Sequence, residues 1–204
     1  MLQLDHLAVS ATTLEEGVAL VEAALGVPLA GGGKHPLMAT HNRLLSLGDL
    51  YLEVIAADPD APRPDHPRWF DLDNFTGFPR LTNWICRTDD LEKAIAASPP
   101  GTGVPVSLQR SDYMWRMAVP ADGKLPFDNA YPALIEWQGP HHPAAALPRS
   151  GVRLTRLEIA HPQAIALRKA LKGQFADPRV VFTLGPQQIM RARFTTPHGT
   201  RYIT

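Results

Sequence analysis

Apolar and polar residues alternate from Leu2 to Ser10. Leu2, Leu4, His6, Ala8 and Ser10 fall on one face, and Gln3, Asp5, Leu7 and Val9 on the other, the period of a β-strand. The period then lengthens. Leu14, Val18, Val21 and Leu25 form the apolar stripe of a helix. Thr12 or Thr13 caps it, Glu15 or Glu16 completes a capping box, and Gly26 ends it. Three further strands are predicted: an irregular glycine-rich one up to Ala39, then Asn42–Leu47 and Leu50–Ala57, with Gly48-Asp49 as the tight turn. The first unit therefore reads β-α-β-β-β.

The same grammar returns further on. "LTNWICRTDDLEKAIAAS" parallels "LDHLAVSATTLEEGVALV", with Asp90-Leu91-Glu92 matching Thr13-Leu14-Glu15 and Trp84 taking the place of His6. "VPVSLQRSDYMWRMAVPADG" and "YPALIEWQG" complete this second unit. Aligning "LIEW" with "YLEV" sets Glu136 at the place of Glu53. A third start, "GVRLTRLEIAHPQAIALRKALKG", is followed by "RVVFTLG" and "MRARFTTPHGTRYIT", a partial β-α-β-β unit whose final strand is short or missing. Self-similarity at a spacing of roughly 80 residues indicates duplicated units packed on one another. The expected organisation is α+β: a first module over 1–58, a proline-rich connector over 59–79, a second module over 80–140, a linker over 141–150 and a partial third module over 151–204.

Composition narrows the class. Hydrophobic residues make up 45% and charged residues 20%, values of a chain that buries a real core. Twenty basic and twenty acidic residues give no net charge, which argues against a nucleic-acid or anionic-membrane surface. No apolar run reaches the roughly 18 residues of a membrane span, and no signal peptide is read at the start. One cysteine, Cys86, precludes an internal disulfide and fits a reducing cytoplasm. No phosphate-cradling glycine motif, Ser-His-Asp order or zinc-type cysteine pair is present.

The stretches "LDHLAVS", "HPLMATHNRLLSLGDLYLEVIA", "RWFDLD" and "YPALIEWQGPHHPAAALP", in this order, resemble the glyoxalase-like domain family of the vicinal oxygen chelate superfamily. That superfamily includes glyoxalases, extradiol dioxygenases and bleomycin-resistance proteins. The resemblance implies paired β-α-β-β-β modules that curl into half-barrels around a cleft, with metal ligands on the first and last strands of each module. It assigns His6, Glu53 and Glu136 to ligand places, Glu136 doubling as catalytic base, and sets Trp84 where a fourth ligand is expected. The implied cofactor is a divalent ion: Zn, Ni, Mn or Fe.

The chemistry of these residues is consistent with that assignment. His6 and Glu53 lie mid-strand in apolar surroundings ("HLAV", "LEVI"), where an unpaired carboxylate tends to bind a cation or a proton. The alternatives are a hydrogen-bonded cleft histidine and buried ion pairs, Glu53 with Arg43 or Arg110 and Glu136 with Arg116. His35 and Asn42, near the mobile Gly31–Gly33, and Tyr113 and Trp115 on a second-module strand are candidate substrate contacts, as is Trp84. Arg110 falls on the opposite face of that strand unless a bulge intervenes. Trp69-Phe70 either closes over a ligand or pins the connector to the core. Two functions remain open: a metal-dependent lyase, isomerase or ring-opening enzyme on a small oxygenated molecule, or a non-catalytic cleft that sequesters a small aromatic compound between tryptophans. Either acts as a monomer or homodimer on a small-molecule ligand.

Overall fold

Twelve strands and four α-helices make up the computed structural model, which describes residues 1–204. The first module runs β1 (Gln3–Ser10), α1 (Leu14–Leu25), β2 (Ala30–His35), β3 (Thr40–Ser46) and β4 (Tyr51–Ala57). Thr13 caps α1 by accepting the Glu16 amide, and Gly26 closes it with a left-handed φ of 73°. The second module runs β5 (Arg80–Arg87), α2 (Leu91–Ala96), β6 (Val104–Arg110), β7 (Tyr113–Val119) and β8 (Ala133–Gln138). Asp90 caps α2 through the Lys93 amide.

The two modules share one eight-stranded sheet of order β2-β3-β4-β1-β5-β8-β7-β6. Within each module the first strand runs parallel to the last, β1 with β4 and β5 with β8; between modules β1 and β5 are antiparallel. The halves are thus related by a pseudo-twofold between β1 and β5. The sheet curls into two half-barrels until its edges approach: a Cβ on Gly33 of β2 would lie 2.6 Å from Cδ of Arg110 at the end of β6. The convex face carries Leu7, Val54, Trp84 and Leu134 into a core shared with α1 and α2. The concave face, with Ala8, Ile55, Ile85 and Ile135, forms a second apolar layer sealed by Trp69, Phe70 and Leu72 of the connector.

After a short helix α3 (Pro143–Ala146) comes the third unit: β9 (Arg153–His161), α4 (Ala164–Ala170), β10 (Val180–Leu184), β11 (Ile189–Thr196) and β12 (Gly199–Ile203). A final strand is present, and it is short. Pairing here departs from the modules. β10 lies directly beside β9, in parallel, and the order is β10-β9-β11-β12. Leu157, Ile159, Met190 and Phe194 on its inner face join the convex-side core, so the unit backs the sheet away from the cleft.

Two bulges set the register between the halves. Pairing shifts at Asp5 in β1 and at Thr82 in β5, so that His6 opposes Ile85 and Ala8 opposes Asn83. Because Ala8 also pairs with Glu53, and Ile85 with Ala133, the equivalent of His6 is Asn83 and that of Glu53 is Ala133. The alignment expected from sequence, His6 with Trp84 and Glu53 with Glu136, is displaced by one residue in β5 and by three in β8. Odd displacements turn a side chain to the other face of a sheet.

Candidate functional site

The bulge at Asp5 lets two successive residues leave the convex core: Leu4 and Leu7 stay in it, while Asp5 and His6 do not. Asp5 is fully buried and its carboxylate accepts from three side chains. Its Oδ1 lies 2.6 Å from Nδ1 of His6, and its Oδ2 accepts from the Trp137 indole at 3.1 Å and from Nε2 of His142 at 2.9 Å. Burial works against the charge. Hydrogen bonds from His142 and His6, and the charge those rings bring, outweigh it and hold the carboxyl well below the usual carboxylate range. An ionised Asp5 only accepts, so His6 carries a hydrogen on Nδ1 and turns Nε2 toward the cleft. Nε2 lies 3.7 Å from Oε2 of Glu53. The ring of Tyr51 stacks beneath His6 at 4.2 Å and fixes its plane. Burial, followed by the charges of Asp5 and Glu53, pushes the Tyr51 hydroxyl well above its ordinary pKa.

Asn42 of β3 organises the opposite side. Its Nδ2 donates to Oε1 of Glu53 at 2.6 Å, while its Oδ1 accepts from the Gly33 amide at 2.8 Å and from Nη1 of Arg110 at 3.0 Å. His35 lies beside it, with Nδ1 3.1 Å from the Thr40 hydroxyl and Nε2 3.4 Å from Arg110 Nη1. Burial, then the positive charge of Arg110, lowers the His35 pKa to about 3, so the ring is neutral at ordinary pH. Around these groups the cleft is aromatic: Trp115 and Trp137 meet at 5.7 Å, and Trp69, Phe70 and Tyr113 close the remaining sides. The slot is narrow, with a cavity volume of about 40 Å³.

Six of the sequence-predicted site residues line this one cleft: His6, Glu53, His35, Asn42, Tyr113 and Trp115. Two do not. Glu136 points from the convex face of β8, where Arg116 holds it at 3.1 Å and also pairs with Glu92 of α2; it is neither a metal ligand nor a base in the cleft. Trp84 is fully buried in the convex core, its indole donating to the Ala130 carbonyl at 2.9 Å and packing against Phe175 and Phe182, so it contacts no cleft ligand. Arg110 moves the other way. Ser111, with a φ of 51°, begins a hairpin turn, so Arg110 and Tyr113 are cross-strand partners on one face rather than residues of one strand. The connector's Trp69 and Phe70 are buried and also line the cleft. Asp5, Tyr51 and His142 were missed from sequence. The aspartate and tyrosine stand in stretches already singled out, "LDH" and "YLEV", and the histidine in "GPHHP".

A metal centre of the kind the resemblance implies draws donors from both modules. The first offers His6 and Glu53; the equivalents in the second are Asn83 and Ala133. Asn83 is fully buried with neither end of its amide partnered, and it does not line the cleft. No three His, Cys, Asp or Glu side chains gather to share a cation, and a guanidinium enters the slot instead. Two donors beside a fixed positive charge do not fit a divalent metal centre.

Comparison with known proteins agrees with the architecture. A family model described as a glyoxalase-like domain matches residues 4–175. A hypothetical protein from Staphylococcus aureus superposes with a TM-score of 0.58 at 12% identity, over 92% of this chain and 88% of that one. Methylmalonyl-CoA epimerase from Mycobacterium tuberculosis gives 0.45 at 14% identity, over 71% and 91%. No curated protein matches the sequence. No helix is long and apolar enough to cross a membrane. With the family model spanning both modules and the curled, duplicated sheet beneath it, this chain belongs to the glyoxalase-like domain family of the vicinal oxygen chelate superfamily.

Proposed function

We propose that the protein is a proton-transfer enzyme of the isomerase or lyase type, acting on a small oxygenated organic molecule. The observation that carries this reading is the Asp5–His6–Glu53 array: a buried carboxylate that fixes an imidazole tautomer, with the free Nε2 aimed into an apolar slot beside a second carboxylate. A base needs its lone pair held toward the substrate in a place that excludes water, and this arrangement supplies both. His6 Nε2 takes a proton from a carbon next to a carbonyl. The resulting imidazolium lies between Asp5 and Glu53, which stabilise it, and the charge left on the substrate oxygen meets Arg110 and the Asn42 amide. Return of the proton to another position isomerises the substrate; loss of a leaving group from the adjacent carbon makes the reaction an elimination.

A second reading, sequestration of an aromatic compound without chemistry, is favoured by the tryptophan pair that walls the slot. Solvent exchange separates the two. Wild-type protein in D2O, offered small 2-oxo, 2-hydroxy and β-dicarbonyl compounds, is expected to incorporate deuterium next to the carbonyl of at least one, read by proton NMR, and His6→Gln is expected to abolish it. Compounds that quench tryptophan fluorescence yet exchange no faster with protein than in buffer overturn the enzymatic reading in favour of sequestration.

A further inference from the structure

We infer that the cleft receives its substrate by a carboxylate, bound by Arg110; the orientation of the rest of the molecule toward His6 rests on the proton-transfer reading above. Arg110 is a half-buried cation with no acidic partner. Only Nη1 is engaged, and its acceptors, Asn42 Oδ1 and His35 Nε2, are both neutral. Nε and Nη2 donate to nothing in the protein. A guanidinium walled by tryptophans and lacking an anion carries an uncompensated desolvation cost that an anionic ligand relieves.

The nearest carboxylate in the slot, Glu53, is kept from that role by Asn42. One end of the amide donates to Glu53 and the other accepts from Arg110, so the spacer prevents the two charges from collapsing into an ion pair. Each remains available for a different job, the acid beside His6 and the cation for a ligand. Gly33 makes room for the arrangement, since a side chain there would meet Arg110 Cδ at 2.6 Å and Nε at 3.2 Å. Tyr113 lies under the guanidinium, 5.9 Å from Cζ to the ring centroid, and limits its tilt. The flat guanidinium fork matches the two oxygens of a carboxylate better than it matches a tetrahedral anion. With the remaining walls apolar, the substrate class is a small carboxylic acid with an aromatic or short aliphatic body.

Tryptophan fluorescence titration of the full chain tests this with benzoate, phenylphosphonate and benzyl alcohol as probes. Wild type is expected to bind benzoate roughly 10- to 100-fold tighter than benzyl alcohol, the range of a charge-assisted hydrogen-bonded contact. Arg110→Met is expected to remove that preference, and Glu136→Ala, on the convex face, to keep it. Equal affinity for benzoate and benzyl alcohol overturns the inference, as does a preference that survives Arg110→Met, or no binding of either probe. Tighter binding of phenylphosphonate than of benzoate overturns the carboxylate assignment. Should Arg110→Met fail to fold, the wild-type series alone decides. Benzoate preference retained alongside absent deuterium exchange would sink the proton-transfer reading and leave this one standing.

Discussion

The two halves of the curled sheet follow the same chain path and differ in kind at equivalent places. In the first half the strand pair beside the pseudo-twofold carries Asp5, His6 and Glu53; in the second it carries Thr82, Asn83 and Ala133. Asp5 holds three donors in the cleft wall, whereas Thr82 shares one hydrogen bond with Ser10. The second half keeps the backbone, bulge included, and turns its cleft-facing positions over to bulk: Trp115, Ile135 and Trp137. Its one charged contribution to the slot is Arg110, which arrives from an edge strand across the seam. Duplication here supplies two copies of a scaffold, of which one carries the ionisable cluster of the cleft and the other the bulk around it.

The sharpest break would come from the reactive residues. His6→Gln or Glu53→Gln should lower deuterium exchange by roughly 10²- to 10⁴-fold, the usual contribution of a positioned acid or base, whereas Asn83→Ala should leave it within about threefold. Equal losses on both sides would show that the halves share the chemistry. Next in size is the hub. Asp5→Ala leaves His6, His142 and Trp137 without their acceptor in a buried place and should cost about 3–5 kcal/mol in urea unfolding, against about 1 kcal/mol for Thr82→Ala.

Acidity probes the cleft groups of the first half. The unfolded chain protonates His35 near its usual 6.5, while the folded protein resists down to about 3, so the unfolded state binds more protons between those values. Stability from this group is complete above pH 6.5 and is lost as pH falls from there toward 3. Between pH 7 and 5 the wild type should lose about 2 kcal/mol more than His35→Gln, measured by denaturant midpoints at both pH values. Asp5 acts in the same sense at lower pH: its stabilisation holds above the ordinary carboxylate pKa and is lost only in stronger acid. The smallest effect belongs to Glu136→Ala, which removes a surface partner of Arg116 and should change neither exchange nor benzoate affinity.

Much of the fold was legible because its signals are local. Cap residues, alternation and the Leu-Glu helix starts marked both modules, and the motifs put His6, Glu53, His35 and Asn42 in one cleft. What failed was register. "YLEVI" and "YPALI" pair letter for letter in the order the strands adopt, but a shared glutamate draws "LIEW" into alignment instead, three residues away. The same slip by one residue put Trp84 in place of Asn83. Each odd shift exchanges cleft for core. Arg110 was misplaced for a related reason: the turn at Ser111-Asp112 divides what reads as one strand. Asp5 and His142 were out of reach of local patterns, since the hub joins residues 137 positions apart and depends on a bulge that alternation alone conceals.

Gly33 has an implication of its own. The void above its Cα is a mould for the arginine that reaches in from the far half, and it is encoded by the absence of a side chain. One added methyl would collide with that arginine and push it toward solvent, trading an acid-seeking slot for a neutral one in a single mutational step. Relatives of this chain that differ only there would be expected to diverge in diet while keeping every reactive group in place.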